Sequence, residues 1–254
     1  MAKILGIIPA RIGSTRIPEK MLKDIHGKPL IVRTYERTKD SKMLDELIVA
    51  TDSDDIEKHL TSVGARVVRW PTPLSSRNGT EGVALALDSF NDFKPDIIVN
   101  IWGDEPLYPA SAIDACVEKL LSDDNLVAVA AADRIIKPEM LEANSVVKVV
   151  TDKKDRALYI SRSTIPYKYS DHDHDHYHII GVMAMRADFL AEYVAMEQTA
   201  LERIEGVEQI RILENGYELG IVKGDFNNLG VNTPDELEEV LKIYESKIKS
   251  GEID

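Results

Sequence analysis

The sequence predicts an α/β protein in which a mainly parallel, Rossmann-like sheet is covered by helices on both faces and followed by a smaller α+β lobe. Strand and helix patterns alternate from the first residues to about Asp133. The strand segments, such as DIIVNIWGD and NLVAVAAAD, are largely apolar, as in strands buried on both sides. The segments between them have the apolar spacing of amphipathic helices. Ligands of such sheets bind at the carboxyl ends of the strands.

The elements are assigned from this pattern in chain order. Strands are predicted in KILGIIPA, ELIVATD, ARVVRW, DIIVNIWGD and NLVAVAAAD, and helices in Ile31 to Ser41, DDIEKHLTSVG, TEGVALALDSF and SAIDACVEKLLSD. Beyond Asp133, VVKVVTDKKDRALYISRS predicts a hairpin and HIIGVMAMR a further strand. Thr233 as N-cap and Pro234 at the first helical position predict the start of a long C-terminal helix. The change of pattern after Asp133 marks the smaller lobe.

The composition of the chain argues against some classes of binding partner. The chain has 254 residues and a formal net charge of −13, from 44 Asp+Glu and 31 Lys+Arg. This balance opposes nonspecific binding to nucleic acid and to anionic membrane surfaces. Cys116 is the single cysteine and is predicted to be a buried thiol, because it lies in an apolar helical segment. The apolar run at the N-terminus is too short to cross a bilayer, and we expect a cytoplasmic protein.

The loop after the first strand carries the clearest chemical pattern, IIPARIGSTRIPEK. Arg11, Arg16 and Lys20 place three cations within ten residues. Gly13 allows a tight turn and close backbone approach, and Ser14 and the adjacent Thr15 offer hydroxyl and amide groups. At the end of a parallel strand these groups suit a phosphate cradle. An ordinary solvated loop is an equal alternative on composition alone.

A second motif, VNIWGDEP, is acidic and places Asp104 just beyond a buried strand. A carboxylate at this edge of the sheet suits Mg²⁺, which prefers oxygen ligands and keeps several waters. The alternative is a turn residue that caps the following segment. Glu105 is a weaker metal ligand and has the same alternative.

The loop resembles the signature of the sugar-acid cytidylyltransferases, specifically the 3-deoxy-manno-octulosonate (Kdo) cytidylyltransferases. Further matching segments follow in order: HGKPLIVRTYERT, LIVATDSDDI, NGTEG, VNIWGDEP, VVKVVTD, ALYISRSTIPY, LERIEGVEQIRILENGY and GVNTPDELEEV. The resemblance implies a nucleotidyltransferase sheet and Mg²⁺-dependent transfer of CMP from CTP with release of pyrophosphate. It also implies a homodimer and a place in lipopolysaccharide or surface polysaccharide biosynthesis. One domain, 1–254, would comprise a nucleotide-binding core (about 1–133 and 221–254) and an acceptor-binding and dimerisation lobe (about 134–220).

The resemblance also implies roles for individual residues. Arg11, Arg16 and Lys20 would hold the triphosphate and stabilise the transition state. The nucleotide-binding set would be Ala10, Arg11, Gly13, Ser14, Arg16, Lys20, Asn78, Gly79, Thr80 and Asp104. Asp104 and Asn232 would be the metal ligands, and Arg162 and Glu208 would face the acceptor.

Several positions depart from the family pattern. The family has Gln where this chain has Trp102, Arg at Gly82 and Asp at Asn232. Ile179 and Met183 replace a His and a Tyr that face the sugar. We therefore include Trp102 and Met183 among the acceptor-binding residues. Arg77, just before NGTEG, is the candidate to replace the cation that is missing at Gly82.

These changes bear on the acceptor. An asparagine oxygen can coordinate Mg²⁺ but brings no charge. Apolar residues in place of hydroxyl-binding groups predict poor recognition of Kdo itself. The acceptor is then a modified or smaller keto-sugar acid, or a phosphonate.

The sequence is also compatible with two other functions, and it contains one histidine-rich motif outside the predicted site. A nucleotide-binding relative without turnover would explain Asn232 and Gly82, and a sugar-phosphate nucleotidyltransferase using another NTP would share the GSTR loop. DHDHDHYH, from Asp171 to His178, invites a transition-metal interpretation, but a solvated acidic loop is favoured. His178 is the one histidine of this segment next to the predicted acceptor strand, and His26 is predicted to support a turn.

Overall fold

Strands and helices alternate through the first half of the chain, as predicted, in the computed structural model, which describes residues 2–14, 16–70 and 78–253. Thr15 and Arg77, to which the sequence assigned roles in the phosphate loop and beside NGTEG, lie outside these residues. The strands are β1 Ile4–Ala10, β2 Asp24–Ile25, β3 Lys28–Pro29, β4 Glu46–Thr51, β5 Arg66–Arg69, β6 Ile97–Ile101, β7 Leu126–Arg134, β8 Lys148–Thr151, β9 Ala157–Ser161, β10 Tyr177–Arg186 and β11 Glu218–Gly224. The helices are α1 Leu30–Lys39, α2 Asp54–Ser62, α3 Gly79–Asp88, α4 Ala110–Ser122, α5 Pro138–Glu142, α6 Ala187–Ala195, α7 Ala200–Glu205, α8 Ile210–Glu214 and α9 Pro234–Lys249.

Within the described residues, nine strands form one mixed sheet. Its main path runs β11-β7-β10-β6-β1-β4-β5, and β8 and β9 extend it from β10. Strands β6, β1, β4 and β5 pair in parallel, as do β7 and β11. Strand β10 runs antiparallel to both β6 and β7. The sheet is therefore mainly parallel, and its antiparallel strand joins two parallel parts.

Two hydrophobic layers cover the sheet. Alternate residues of β1 show why: Ile4 and Ile8 belong to one buried cluster, whereas Leu5 and Ile7 belong to the other. The first layer is contributed by α1, α2, α4 and α9. The second is contributed by α3, α6, α8 and the β8–β9 hairpin. Period-two burial of this kind is what a strand between two helical layers requires.

Local signals explain several boundaries. Thr233 caps α9 and accepts a hydrogen bond from the Glu236 N–H, with Pro234 at the first position, as predicted. His26 and Gly27 both have positive φ between β2 and β3, which confirms the turn predicted at His26.

Cys116 is fully buried in α4, and burial raises the pKa of its thiol, as expected for a structural cysteine.

Other elements were not predicted. Strand β11 and helices α6 to α8 occupy the segment 187–224, where the sequence analysis assigned nothing. Strand β10 lies within the predicted smaller lobe, 134–220, yet pairs with β6 and β7 in the main sheet. The division into core and lobe stays a prediction, and the sheet draws strands from both parts. No helix in the part of the chain that the structure describes combines the length and apolarity needed to cross a bilayer.

Candidate active site

The phosphate-loop candidates border one cavity at the carboxyl ends of the parallel strands. Strand β1 ends at Ala10, and the loop that follows is tied to the end of β4 by a hydrogen bond of 3.0 Å from the Ile12 N–H to the Asp52 carboxylate. The cavity has a volume of about 470 Å³ and is lined by Pro9, Arg11, Gly13, Ser14, Arg16, Lys20, Met21, Asn78, Gly79, Trp102, Asp104 and Asn232. We call it the nucleotide cavity.

The centre of the nucleotide cavity is an ion pair. The Lys20 ammonium lies 2.5 Å from the Asp104 carboxylate, and both side chains are partly buried. Asp104 follows β6, and its carbonyl accepts a hydrogen bond of 2.9 Å from the Val231 N–H. That bond holds the segment carrying Asn232 against the end of β6. Lys20, Asp104 and Asn232, predicted from three distant segments, therefore meet in one place.

The two arginines of the loop differ in their surroundings. The Arg11 guanidinium lies 5.7 Å from the centre of the buried Trp70 ring. Burial lowers the pKa of Arg11, and the charge of Asp52 opposes that shift. Arg16 is exposed and borders both the nucleotide cavity and a neighbouring cavity. Ala10 is completely buried and does not border the nucleotide cavity.

The NGTEG segment forms the start of α3. The Asn78 side chain caps the helix by accepting a hydrogen bond of 2.9 Å from the Glu81 N–H. Asn78 and Gly79 border the nucleotide cavity. Thr80 does not: it is buried, and its N–H donates to the Glu208 carboxylate at 3.0 Å. Thr80 therefore joins α3 to the acceptor side.

A buried charge network behind α3 was missed by the sequence analysis. Arg211 is completely buried and donates to both oxygens of Glu202, at 2.8 and 2.6 Å, and to Glu81 at 3.1 Å. Its guanidinium lies 4.4 Å from the centre of the Tyr193 ring. Three of these residues come from the consecutive helices α6, α7 and α8, and Glu81 comes from the distant α3, so the complete network has no local pattern.

Two smaller cavities adjoin the nucleotide cavity across Trp102, which borders all three. One, of about 320 Å³, is lined by Asn78, Gly79, Trp102, Val147, Arg162, Ile179, Gln198, Glu202, Gly206, Val207, Glu208 and Gln209. The other, of about 170 Å³, is lined by Arg16, Trp102, Asp104, Glu105, Met140, Ser145, Val146, Val147, Arg162, His178, Ile179, Asn228, Leu229, Gly230, Asn232 and Glu236. We call these the first and second acceptor-side cavities. Three predicted acceptor residues, Trp102, Arg162 and Glu208, lie at their walls.

Arg162 is held by the protein backbone. Its guanidinium donates to the carbonyls of Glu205 at 2.7 Å, Asn144 at 2.7 Å and Gly206 at 3.2 Å. Beneath it, the completely buried Lys148 donates to the carbonyls of Ala143, Val146 and Arg162. Burial lowers the pKa of Lys148, and the Arg162 charge acts in the same direction. The sequence analysis did not identify Lys148, because a buried lysine has no local signature.

Met183 is the predicted acceptor residue that does not reach a cavity wall. It is buried in the sheet layer, and Ile179 borders both acceptor-side cavities instead. Met183 pairs with Asn100 of β6 inside the sheet, whereas Ile179 lies beyond the stretch of β10 that pairs with β6, past a register irregularity between the two residues. At the irregularity, Gly181 lies so close to Trp102 that a Cβ would be 2.6 Å from the Trp102 Cβ.

Glu105 links three segments around the site. Its carboxylate accepts hydrogen bonds of 2.6 Å from the Gly181 N–H and 2.6 Å from the Asn228 side-chain amide. Burial raises the pKa of Glu105 to about 8, and the neighbouring Asp104 charge acts in the same direction. Glu105 does not cap a helix, because α4 begins later, after Pro109.

Oxygen ligands for a metal are present at the junction of the cavities. Asp104 and Asn232 border both the nucleotide cavity and the second acceptor-side cavity. The Asn232 and Thr233 N–H groups donate to Glu236, which fixes the start of α9. The histidine-rich segment offers no comparable set: His172 and His174 are exposed. Across residues 2–14, 16–70 and 78–253, no group of three or more His, Cys, Asp or Glu side chains is arranged to hold a metal.

Known proteins share this architecture along the whole chain. Residues 5–222 match the family described as Cytidylyltransferase. A 3-deoxy-manno-octulosonate cytidylyltransferase of Chloroherpeton thalassium is 39% identical over 97% of this chain and 100% of its own length. The corresponding enzyme of Chlorobaculum parvum is 38% identical over 97% of this chain and 99% of its own length.

A solved structure agrees with these relatives. The CMP:2-keto-3-deoxy-manno-octonic acid synthetase complexed with CTP is 30% identical, covers 97% of this chain and 100% of its own, and superposes with a TM-score of 0.87. The mainly parallel sheet with helices on both faces is therefore the fold of that enzyme. The chain belongs to the cytidylyltransferase family, among the 3-deoxy-manno-octulosonate cytidylyltransferases.

Proposed function

We propose that this protein transfers CMP from CTP to a Kdo-like sugar acid and releases pyrophosphate. The observation that carries the proposal is the nucleotide cavity, whose wall brings the cations Arg11, Arg16 and Lys20 together with Asp104 and Asn232. The relatives act on the same pair of substrates, as their names state. The arrangement supplies positive charge for a triphosphate in a protein that is acidic overall.

The reaction needs positioning and charge neutralisation more than covalent chemistry. An acceptor hydroxyl oxygen bonds to the α-phosphorus of CTP, the bond from that phosphorus to the β-phosphate oxygen breaks, and the hydroxyl proton is lost. Lys20 is placed to neutralise charge on the α-phosphate, and Arg11 and Arg16 hold the β and γ oxygens. Electrostatic stabilisation of this kind accounts for a large part of enzymatic rate enhancement.

The donor atoms at the junction of the cavities fit Mg²⁺. Asp104 offers a carboxylate and Asn232 a carboxamide, both oxygen ligands of the kind Mg²⁺ prefers. When bound, the ion would offset phosphate charge and help align the leaving pyrophosphate. Lys20 pairs with Asp104, so the protein already balances this carboxylate.

The base and the acceptor take opposite sides of Trp102 in this proposal. Asn78 and Gly79 approach the cytosine with polar and backbone groups. The acceptor occupies the cavities walled by Trp102, Ile179, Arg162 and Glu208. Burial raises the pKa of the Glu208 carboxyl, which suits a group that contacts sugar hydroxyls. Met183 supports Ile179 from within the sheet layer.

A homodimer is the proposed assembly. Leu158 on β9, Ile204 on α7, and Tyr167 and Tyr169 in the segment after the hairpin are large apolar side chains that are mostly exposed. Apolar residues grouped on one lobe mark a protein interface. Replacing Ile204 with Glu should shift sedimentation of the purified protein from dimer to monomer, and a wild-type monomer would contradict the proposal. We also propose a cytoplasmic enzyme, because CTP is a cytoplasmic substrate.

The test of the reaction is pyrophosphate release from CTP, UTP, GTP and ATP in the presence of Mg²⁺ and an acidic acceptor. We expect release with CTP and little with the other nucleotides. Equal release with another NTP would favour a different nucleotidyltransferase. A panel of acceptors should include Kdo, other keto-sugar acids and phosphonates, and omission of Mg²⁺ should abolish turnover.

The acceptor side has its own test, because Trp102 and Ile179 stand where the family has Gln and His. The apolar pair predicts a high KM for Kdo. The double variant Trp102→Gln, Ile179→His should lower the KM for Kdo several-fold and leave the KM for CTP unchanged. A wild-type enzyme that already turns over Kdo at low concentration, with no gain in the variant, would show that these residues do not restrict it.

A further inference from the structure

Two polar side chains border the second acceptor-side cavity where it meets a neighbouring one. Asn228 and His178 both border it, and both also border a neighbouring cavity of about 200 Å³. Met140 and Leu229 are shared by the two spaces as well. The acceptor side therefore continues past Trp102 toward α9.

Asn228 is fixed at this place but has an unused acceptor. Its backbone N–H donates to Asp133 at 2.8 Å, and its side-chain amide donates to Glu105 at 2.6 Å. The side chain is buried, and its carbonyl oxygen has no hydrogen-bond partner among the described residues. A buried acceptor without a donor costs about 1–3 kcal/mol. A ligand that brings a hydroxyl group would supply the missing donor.

His178 completes the pair. Its ring is 9% exposed, and burial lowers its pKa, with the Asp133 charge opposing the shift and the Lys148 charge adding to it. A neutral imidazole offers one donor and one acceptor. One ring nitrogen already has a backbone hydrogen bond with Ile179, so the other is left for a hydroxyl group, which can donate to it or accept from it.

The two cations around this end of the cavity are already paired. At the rim of the neighbouring space, Arg134 pairs with Asp225 at 2.6 Å and Lys137 with Glu239 at 2.5 Å. Arg16 and Arg162, which can meet an acid group, border the second acceptor-side cavity but not the neighbouring one. The charge that remains at the shared end is the Asp133 carboxylate, which accepts hydrogen bonds from the Phe226 and Asn228 N–H groups.

We propose that Asn228 and His178 bind a hydroxyl group in the tail of the acceptor, at the end remote from its acid group. They are specificity-determining residues for a polyhydroxylated acid over a short one. The inference rests on the proposed cytidylyl transfer. It also explains how the acceptor side can recognise a sugar although Ile179 and Met183 lack polar atoms.

The test compares two acceptors that differ in the tail. The probes are Kdo, with eight carbons, and a six-carbon 3-deoxy-2-keto sugar acid that lacks the last two carbons and their hydroxyls. In His178→Phe we expect the KM for Kdo to rise roughly tenfold, the size of one lost hydrogen bond. The KM for the six-carbon acid and the KM for CTP should stay within about twofold of the wild-type values.

A second variant separates the subsite from the support that Asn228 gives Glu105. Asn228→Leu should affect both acceptors through Glu105, and the additional loss with Kdo measures the tail contact. His174→Phe is the matched control, because His174 is exposed on the same segment and should change neither KM. Thermal shifts with CTP report whether each variant is folded.

The outcomes are distinct. Equal changes for both acceptors in the two variants, or an unchanged KM for Kdo, would overturn the inference while the enzyme remains active. If the wild type releases pyrophosphate with neither acid, the proposed function fails and the inference fails with it.

Discussion

The nucleotide cavity and the acceptor-side cavities are built in different ways. In the nucleotide cavity the cations come from one loop, and Arg16 has no hydrogen bond or ion pair to another described residue. On the acceptor side, Arg162 and Lys148 each donate to three backbone carbonyls, and Glu208 accepts from Thr80. The first region combines the exposed Arg16 with the Lys20–Asp104 ion pair, whereas the second is held by internal hydrogen bonds before any ligand enters.

The largest expected effect removes the internal support of the acceptor side. Replacing Arg211 with Met removes the buried cation that donates to Glu202 and Glu81. Breaking a buried pair in this way costs about 3–5 kcal/mol, so chemical denaturation should show a large loss of unfolding free energy. Arg66→Met is the control: Arg66 pairs with Glu46 and Asp92 but is 43% exposed, and exposed pairs contribute about 1 kcal/mol or less. Similar losses of unfolding free energy in both variants would contradict the distinction between the buried and the exposed ion pairs.

The next effect concerns chemistry in the nucleotide cavity. Lys20→Met removes the charge beside Asp104 and should lower kcat roughly 100- to 1,000-fold, as loss of one electrostatic catalytic group does. Lys23→Met removes the same charge three residues later, outside the cavity, and should leave kcat within about twofold. Steady-state kinetics with saturating CTP and acceptor measure both. Equal kcat values for Lys20→Met and the wild type would remove Lys20 from the mechanism.

Two glycines, one in each region, allow the acceptor side and the nucleotide cavity to be compared through a smaller expected effect. A Cβ at Gly181 would lie 2.6 Å from the Trp102 Cβ, whereas a Cβ at Gly13 has no described atom within 4 Å. Gly181→Ala should therefore destabilise the free protein by about 1–3 kcal/mol and raise the KM for the acceptor. Gly13→Ala should leave stability unchanged and raise the KM for CTP, because only the ligand approaches that position. Thermal unfolding and KM values of the two variants check this, and a stable Gly181→Ala would contradict it.

The smallest effect is a pH dependence on the acceptor side. Burial places the folded-state pKa of His178 below its ordinary 6.5. As pH falls below about 6.5, the unfolded chain takes up a proton that the folded protein does not, so the stability contributed by the neutral ring is lost. The unfolding free energy of the wild type should fall more steeply between pH 6.5 and the folded pKa than that of His178→Phe. Parallel curves would show that His178 titrates normally.

The contrast between the nucleotide cavity and the acceptor side also explains what the sequence could predict. The alternation of apolar strands and amphipathic helices predicted the sheet and its two layers, because each depends on local periodicity. The phosphate loop was predicted for a similar reason, since Arg11, Arg16 and Lys20 are close in sequence. Strand β11 was missed, although ELGIVKG is short and apolar, because its pairing with β7 is a long-range contact.

The acceptor side was less predictable because it is assembled from distant segments. Trp102, Arg162, Ile179 and Glu208 were identified through the family resemblance, which gives positions but not burial. Met183 lies in the sheet layer because it pairs with Asn100 of β6, a long-range contact that the local sequence does not indicate. Asn228 and Lys148 are polar groups whose surroundings come entirely from other segments.

The most direct test of cytidylyl transfer is phosphorus NMR of purified protein mixed with CTP, Mg²⁺ and Kdo. The account predicts that CTP signals are replaced by a CMP ester and pyrophosphate in equal amounts, and that Lys20→Met slows both together. Binding of CTP without formation of either product, with Kdo or any other sugar acid tested, would contradict the account and leave a nucleotide-binding relative without turnover.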